Sequence, residues 1–351
     1  MIIAALYLFL ITAKAALALR YSKRQHVASY APLTIVQPIL SGDRLLQSTL
    51  EQNLKAHPNT QFLWMIDEDD SEAQRIAIVL ARPNLRVALC RPPQNGENPK
   101  LAKLIRALDM VTTDRLMVLD DDTVFPGDLP AGALVTGLPV FTSNDTIYER
   151  LIGGFVNGSA LLTYLPAAQL KLQRTINGMI YSVDAVQLRA LGGFEAAGHE
   201  LTDDYAVARL YARSGLAIMQ STAPALVSMT VTTPTAYIRV MRRWMIFATR
   251  YFGDNATLAS MFWIALPQVL PFIGFALNPA AWTIVIPAKA LLNRVLLWRM
   301  TRTSSTPLDI AFECVGDLLT PLWILLAFIQ PTQLTWRTRK ISMENGSIRY
   351  K

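Results

Sequence analysis

Leu116-Met117-Val118-Leu119 runs directly into Asp120-Asp121-Asp122 and then Thr123-Val124. Four apolar residues ending in carboxylates predict a buried strand that delivers acids to the rim of a sheet. Adjacent carboxylates repel one another unless positive charge lies between them. A hard divalent cation, Mg2+ or Mn2+, prefers oxygen ligands and commonly bridges to phosphates. On that reading Asp120 and Asp122 are metal ligands, and Asp121 shapes the turn. Capping the next element is the competing role, because Asp is a common turn and cap residue.

The residues upstream favour a site. Leu33–Ile39 predicts a strand and Arg44–Leu54 a helix. Phe62–Ile66 predicts a strand that ends at Asp67-Glu68-Asp69-Asp70. A helix over Glu72–Leu80, a strand over Val87–Cys90 and a helix over Pro99–Leu108 follow. Strands alternating with helices predict a parallel sheet with right-handed crossovers. Such sheets bind ligands outside the carboxyl ends of their strands. Both acidic clusters fall at those ends. Downstream, Leu138–Phe141 reads as a strand, 145–165 as a helix and Gly178–Val183 as strand and loop. Gly192-Gly193-Phe194 is a turn, and Thr202–Ser214 a helix with Asp203 and Asp204 at its start. One acid suffices to cap a helix N-terminus, and two exceed that need.

Composition adds the membrane. Of 351 residues, 52% are hydrophobic and only 17% charged, an unusually apolar balance for a soluble chain. The excess collects at 2–19, 256–300 and 308–330, while 30–230 has the mixed composition of an α/β domain. The net charge is +7, and the cations flank the apolar runs: Arg20, Lys23 and Arg24; Arg239, Arg242, Arg243 and Arg250; Arg294, Arg299 and Arg302. That placement follows the membrane rule, so no nucleic-acid partner is expected. Two cysteines, Cys90 and Cys314, make neither a disulfide framework nor a Cys-based metal site. The first charges follow the opening apolar run, with Lys14 inside it, which predicts a retained anchor rather than a signal peptide. Residue 20 onward is then cytoplasmic.

The expected organisation is an anchor at 1–20, a cytoplasmic α/β domain at 30–232 and an amphipathic interfacial helix at 234–253. A transmembrane hairpin at 256–300, a transmembrane or re-entrant segment at 308–330 and a basic tail at 331–351 complete it. In the interfacial helix Tyr237, Val240, Met241, Trp244, Ala248, Tyr251 and Phe252 recur at helical spacing. In the last apolar segment Asp309, Glu313 and Asp317 lie one turn apart. Acids inside a span face the bundle or a wet cavity.

A cytoplasmic α/β domain, strand-end carboxylates and an Arg-rich helix at a membrane suit group transfer from a nucleotide-diphosphate donor to a lipid. The residues resemble the ceramide glucosyltransferase family, within the GT-A group of family-2 glycosyltransferases. The resemblance spans about 30 to 250 and rests on Asp67, on Asn98-Pro99-Lys100, and on Asp120 with Asp122. Gly137-Leu138-Pro139, Gly178-Met179, Asp204 in Thr202-Asp203-Asp204-Tyr205, and Arg243-Trp244 also fit. It implies a GT-A fold, Rossmann-like with a mainly parallel sheet, carrying N-terminal and C-terminal transmembrane helices. It implies an inverting hexosyltransferase of sphingolipid metabolism and glycolipid biosynthesis. The donor is a UDP-sugar such as UDP-glucose, the acceptor a membrane lipid hydroxyl of ceramide or a similar lipid, and the metal Mg2+ or Mn2+. Asp204 is the implied general base. Asp67, Asp69, Lys100, Asp120, Arg243 and Trp244 bind the donor, and Asp120 and Asp122 hold the metal. The setting is an integral membrane protein, its catalytic domain cytoplasmic, in a bacterial inner membrane.

One position departs from the pattern. Val240 stands where the family's last motif begins with Gln or Arg, and Arg239, one residue earlier, is rotated by roughly 100° on a helix. A hopanoid or diacylglycerol acceptor with another sugar would need the same donor site. Asp120-x-Asp122-Thr123-Val124 also resembles haloacid-dehalogenase-like phosphatases, and an inactive lipid- or nucleotide-binding membrane protein is the non-enzymatic alternative. His26, His57 and His199 form no constellation, although His199 lies close to Asp204 in sequence.

Overall fold

A computed structural model describes residues 2–24, 31–198, 202–328, 333–336, 339–344 and 347–350. His26 and His199 lie outside them. The chain divides into two compact units. One comprises 26–137, 174–230 and 331–351, the other 1–25, 138–173 and 231–330.

The first unit has the expected α/β architecture. β1 (Leu33–Ile39), α2 (Leu46–Ala56), β2 (Gln61–Asp67), α3 (Ser71–Val79), β3 (Leu85–Cys90), α4 (Pro99–Met110) and β4 (Arg115–Leu119) alternate along the chain; α1 (Ile2–Ser22) precedes them. β5 (Thr123–Val124), β6 (Leu134–Phe141), β7 (Ile180–Asp184), α6 (Ala185–Ala190), α7 (Asp203–Arg213) and β8 (Ile218–Val227) follow, with α5 (Ile147–Gln169) inserted after β6. The sheet order is β3-β2-β1-β4-β7-β6-β8-β5. β3, β2, β1 and β4 are mutually parallel, and β7 joins β4 antiparallel. The strand order reverses at β1, so the cleft between the ends of β1 and β4 is a topological switch point. Asp67 and Asp120 stand at that edge.

The period of two in the strands builds the core. Val36, Leu63, Met65, Leu116 and Val118 pack under Leu101, Leu104 and Leu108 of α4 and Val207 and Tyr211 of α7. Their neighbours Ile35, Phe62, Trp64, Ile66, Met117 and Leu119 face the other way, onto Leu46, Leu50 and Leu54 of α2 and Ile76 of α3. Each such side chain contributes roughly 1.5–3 kcal/mol relative to exposure, so both faces of these strands anchor the sheet. The helices start where local chemistry dictates. Asp70 caps α3 by accepting from Ala73 N at 3.0 Å. Asn98 caps α4 by accepting from Lys100 N and Leu101 N, with Pro99 in the first turn.

The second unit is helical. It holds α1, α5, α8 (Pro234–Asn255), α9 (Leu258–Ser260), which runs through a π turn into α10 (Leu266–Leu277), then α11 (Pro279–Thr301) and α12 (Pro307–Phe328). Among the described residues five helices are long and apolar enough to cross a membrane: Ile2–Ser22, Ile147–Gln169, Leu258–Leu277, Pro279–Thr301 and Pro307–Ala327. The second of these, α5, is diluted in sequence by Gly153, Gly154, Asn157 and Gly158. Those small residues admit α12. A Cβ on Gly154 would fall 2.3 Å from the Phe312 carbonyl oxygen, and one on Gly158 would fall 2.8 Å from Glu313 Cγ.

Two of the three acids of α12 point inward, and one does not. Asp309 caps its own helix, accepting from Thr306 N and Oγ1. Glu313 is fully buried; its carboxylate accepts from Lys289 Nζ at 3.0 Å, Arg294 Nε at 2.7 Å and Asn293 Nδ2 at 3.0 Å. Asp317 accepts from Lys289 Nζ at 2.8 Å. Lys289 also donates to the Gly158 carbonyl and Asn293 to that of Asn157. On α8, capped by Thr233, the buried column is Tyr237, Met241 and Met245. Met245 takes the place predicted for Trp244, whose ring instead stacks on Phe155 at 6.4 Å. Arg239 is exposed, while Val240 and Arg243 are half-buried.

Candidate active site

The acids at the carboxyl edge of the parallel strands divide by what they bind. Asp121 and Asp70 are buried and hold backbone. Asp121 Oδ2 accepts from Leu40 N, and Asp70 Oδ2 from Ser41 N, both at 2.8 Å. These two shape the loop after β1, which is the turn role expected for Asp121. Asp67 is 1% exposed at the end of β2, whereas Asp69 is exposed in the turn that follows. Asp120 and Asp122 are partly exposed, and Asp122 Oδ1 accepts from Thr123 Oγ1.

Helix α4 lies over this edge and brings two buried ammonium groups to it. Lys100 Nζ lies 2.6 Å from Asp120 Oδ1 and 3.2 Å from Asp203 Oδ2, and it donates to the Gly178 carbonyl at 2.8 Å. The two carboxylates pair with it as ions and the Gly178 carbonyl takes its hydrogen bond, while Asp203 Oδ2 has no hydrogen-bond partner among the described residues. Lys103, one turn on, lies 3.1 Å from Asp67 Oδ2 and donates to the Ile39 carbonyl at 2.6 Å. Neither Lys103 nor a pairing of Asp203 with Lys100 is among the expectations from sequence. The signal was present in the spacing: two lysines at i and i+3 straight after an Asn-Pro cap share one helix face.

Asp204 completes the group. It opens α7, is half-buried, and accepts from Tyr205 N at 2.7 Å. A Cβ on Gly178 would come within 3.1 Å of Asp204 Oδ2, so the glycine permits this close approach. Burial pushes the Asp204 carboxyl up to about 6; Asp203 adds to the rise and Lys100 opposes it. Burial likewise pushes Asp120 up to about 7, with Lys100 opposing and Asp122 and Asp203 assisting the rise. Lys100 is held well above its ordinary range: burial opposes its charge, but Asp120 and Asp203 outweigh that. The Tyr181 hydroxyl is buried in the same field without a hydrogen-bond partner among the described residues.

The structure thus gathers Asp120, Asp122 and Asp204 with Lys100, and places Asp67 nearby on β2 against the same helix. Arg243 and Trp244 belong to α8 in the helical unit. His57 stands apart, its ring bonded to the Phe125 carbonyl at 2.6 Å. Among the described residues no three His, Cys, Asp or Glu side chains form a metal cluster unaided. Two protein carboxylates supplemented by a ligand's phosphate oxygens are nonetheless a common setting for Mg2+. The donor set fits such a cation, because the carboxylates of Asp120, Asp122, Asp203 and Asp204 interact with one another around the Lys100 ammonium.

The pattern of glycosyl transferase family 21 matches residues 1–348. No curated protein matches the chain. Among solved structures, a mannosyltransferase from Pyrobaculum calidifontis in complex with GDP-Man and Mn2+ shares 13% identity. The match covers 93% of this chain and 96% of that one, at a TM-score of 0.48. Glucosyl-3-phosphoglycerate synthase from Mycobacterium tuberculosis shares 14%, covering 69% and 85%, at a TM-score of 0.40. Likeness this distant carries no argument about substrate or metal. The family match over nearly the whole chain sets the phosphatase reading aside.

Proposed function

Because the chain belongs to glycosyl transferase family 21, we propose that it moves a sugar from a nucleotide-diphosphate donor to a hydroxyl of a membrane lipid. The reading is specific: glucose from UDP-glucose, passed to a ceramide-type acceptor, with inversion at the anomeric carbon. The observation that carries it is the partly exposed Asp204, close to Asp120 through Lys100 and Asp203, at the ligand-binding edge of the sheet. Among the described residues the same chain carries five helices long and apolar enough to span a bilayer.

Asp204 takes the proton of the acceptor hydroxyl as its oxygen attacks the anomeric carbon. The bond from that carbon to the diphosphate oxygen breaks on the opposite face, and the nucleotide diphosphate leaves with the electron pair. A carboxyl poised at about 6 is ionised at neutral pH and still a better base than an ordinary aspartate. Asp120 and Asp122 would hold Mg2+ or Mn2+, which when bound offsets diphosphate charge as a Lewis acid. Asp67 and Asp69 hold the nucleoside side of the donor. Lys100 neutralises Asp120 and Asp203 and lies beside the diphosphate. Arg243 and Trp244 serve the donor from α8, whose basic face lies along the cytoplasmic surface of the membrane.

Mass spectrometry of lipids from cells expressing the full chain, with and without added ceramide, tests this. A new hexosylceramide that depends on the chain is expected. A hexosylated hopanoid or diacylglycerol would replace the acceptor and keep the reaction. No new glycolipid with any common nucleotide sugar would overturn the proposal.

A further inference from the structure

Lys103 has no place in the reaction as proposed, yet it is as deliberately sited as Lys100. It is 4% exposed, and its ammonium reaches the ends of two adjacent parallel strands: the Ile39 carbonyl of β1 at 2.6 Å and Asp67 Oδ2 of β2 at 3.1 Å. Ile39 and Ile66 are in register, so the ammonium clasps the two strand ends beside the switch point. Taking an ammonium and a carboxylate out of water is expensive, and an apolar pair of similar volume often does as well or better for stability. What the pair adds is geometry. A carboxylate at the end of a strand can swing about two side-chain torsions, and a buried ion pair with a group fixed on a helix restricts it.

We infer that Lys103 is a positioning residue, holding the Asp67 side chain aimed for the nucleoside of the donor. The inference rests on the donor-site reading above. α4 then has two tasks one turn apart. Lys100 serves the acid at the end of β4, on the diphosphate side; Lys103 serves the acid at the end of β2, on the nucleoside side.

The test is a double-mutant cycle on the full chain in lipid nanodiscs. It uses Lys103→Met, Asp67→Asn and the double variant, each titrated with UDP and with GDP by calorimetry and assayed for donor KM and kcat. Lys103→Met is expected to weaken nucleotide binding and raise donor KM about tenfold or more, the scale of one lost polar contact to a charged group, with kcat changed far less. Once Asp67 is Asn, removing Lys103 should cost almost nothing further. Additive losses in the cycle, or a fall in kcat at unchanged donor KM, would overturn the inference. If Lys103→Met does not fold, Lys103→Gln keeps a donor for Ile39 and is put through the same cycle with the same criteria. A wild-type chain that binds neither nucleotide would instead defeat the donor-site reading, and this assignment with it.

Discussion

Two charged clusters are buried in this chain, and they are built on opposite principles. In the helical unit Glu313 and Asp317 meet Lys289 and Arg294, with Asn293 and the Gly158 carbonyl filling the remaining valences. Cations match acids there, and Lys14 is buried within the same unit. In the α/β unit Lys100 is the one lysine set between Asp120 and Asp203, with Asp122 and Asp204 beside them. Burial raises the Asp120 and Asp204 carboxyls above their ordinary range, and Asp120, Asp122 and Asp204 are partly exposed. A closed cluster fastens helices; a cluster whose carboxylates reach the surface is one that a cation and a phosphorylated ligand can join. The difference separates structure from site, although both look alike as strings of acidic residues.

The largest effect that would sharpen this contrast is metal removal. Excess chelator is expected to abolish turnover, and added Mg2+ or Mn2+ to restore it, while thermal unfolding of the chain without nucleotide is unaffected. Full activity in chelator would erase the difference between the clusters. Next, Lys289→Met leaves Glu313 and Asp317 short of a cation in an apolar surrounding and should cost about 3–5 kcal/mol of stability. The check is thermal unfolding in detergent, with donor binding measured on the fraction still folded. An unshifted unfolding curve would mean that the closed cluster fastens nothing.

A smaller effect concerns pH. Asp204 must be ionised to act, and burial places its carboxyl at about 6. kcat should therefore be level above that pH and fall about tenfold per unit below it. A profile still flat at pH 5 would assign the base elsewhere. The smallest effect is expected from Gly178→Ala. Its Cβ would lie 3.1 Å from Asp204 Oδ2, so neighbours must shift by a few tenths of an ångström. The loss in kcat should stay well below the roughly 10²-fold cost of a full ångström's misplacement, with stability nearly unchanged.

Much of this was readable from sequence, for definable reasons. Strands such as Leu116–Leu119 are buried on both faces and therefore continuous in their apolar character, and their ends fix where the acids emerge. That gave the sheet, its ligand-binding edge and the group Asp120, Asp122 and Asp204. Lys103 and the true part of Asp203 were hidden because their partners lie on other elements, and a buried lysine looks like an exposed one until the fold is known. The span over α5 was hidden for the opposite reason. Its glycines and asparagine lower its apolarity because they let α12 approach and satisfy buried groups, as Asn157 does for the Phe141 backbone. Glu313 and Asp317 are expected from sequence to face inward, but of their cations on α11 Arg294 reads as flanking charge and Lys289 carries no pairing signal.

Single-turnover transfer by Asp204→Asn, measured beside its affinity for the donor, tests the central claim most directly. If the partly exposed acid is the base, the variant binds nucleotide sugar as wild type does and transfers it about 10²–10⁴ times more slowly. Transfer at the wild-type rate, or a loss explained wholly by weaker donor binding, would contradict it.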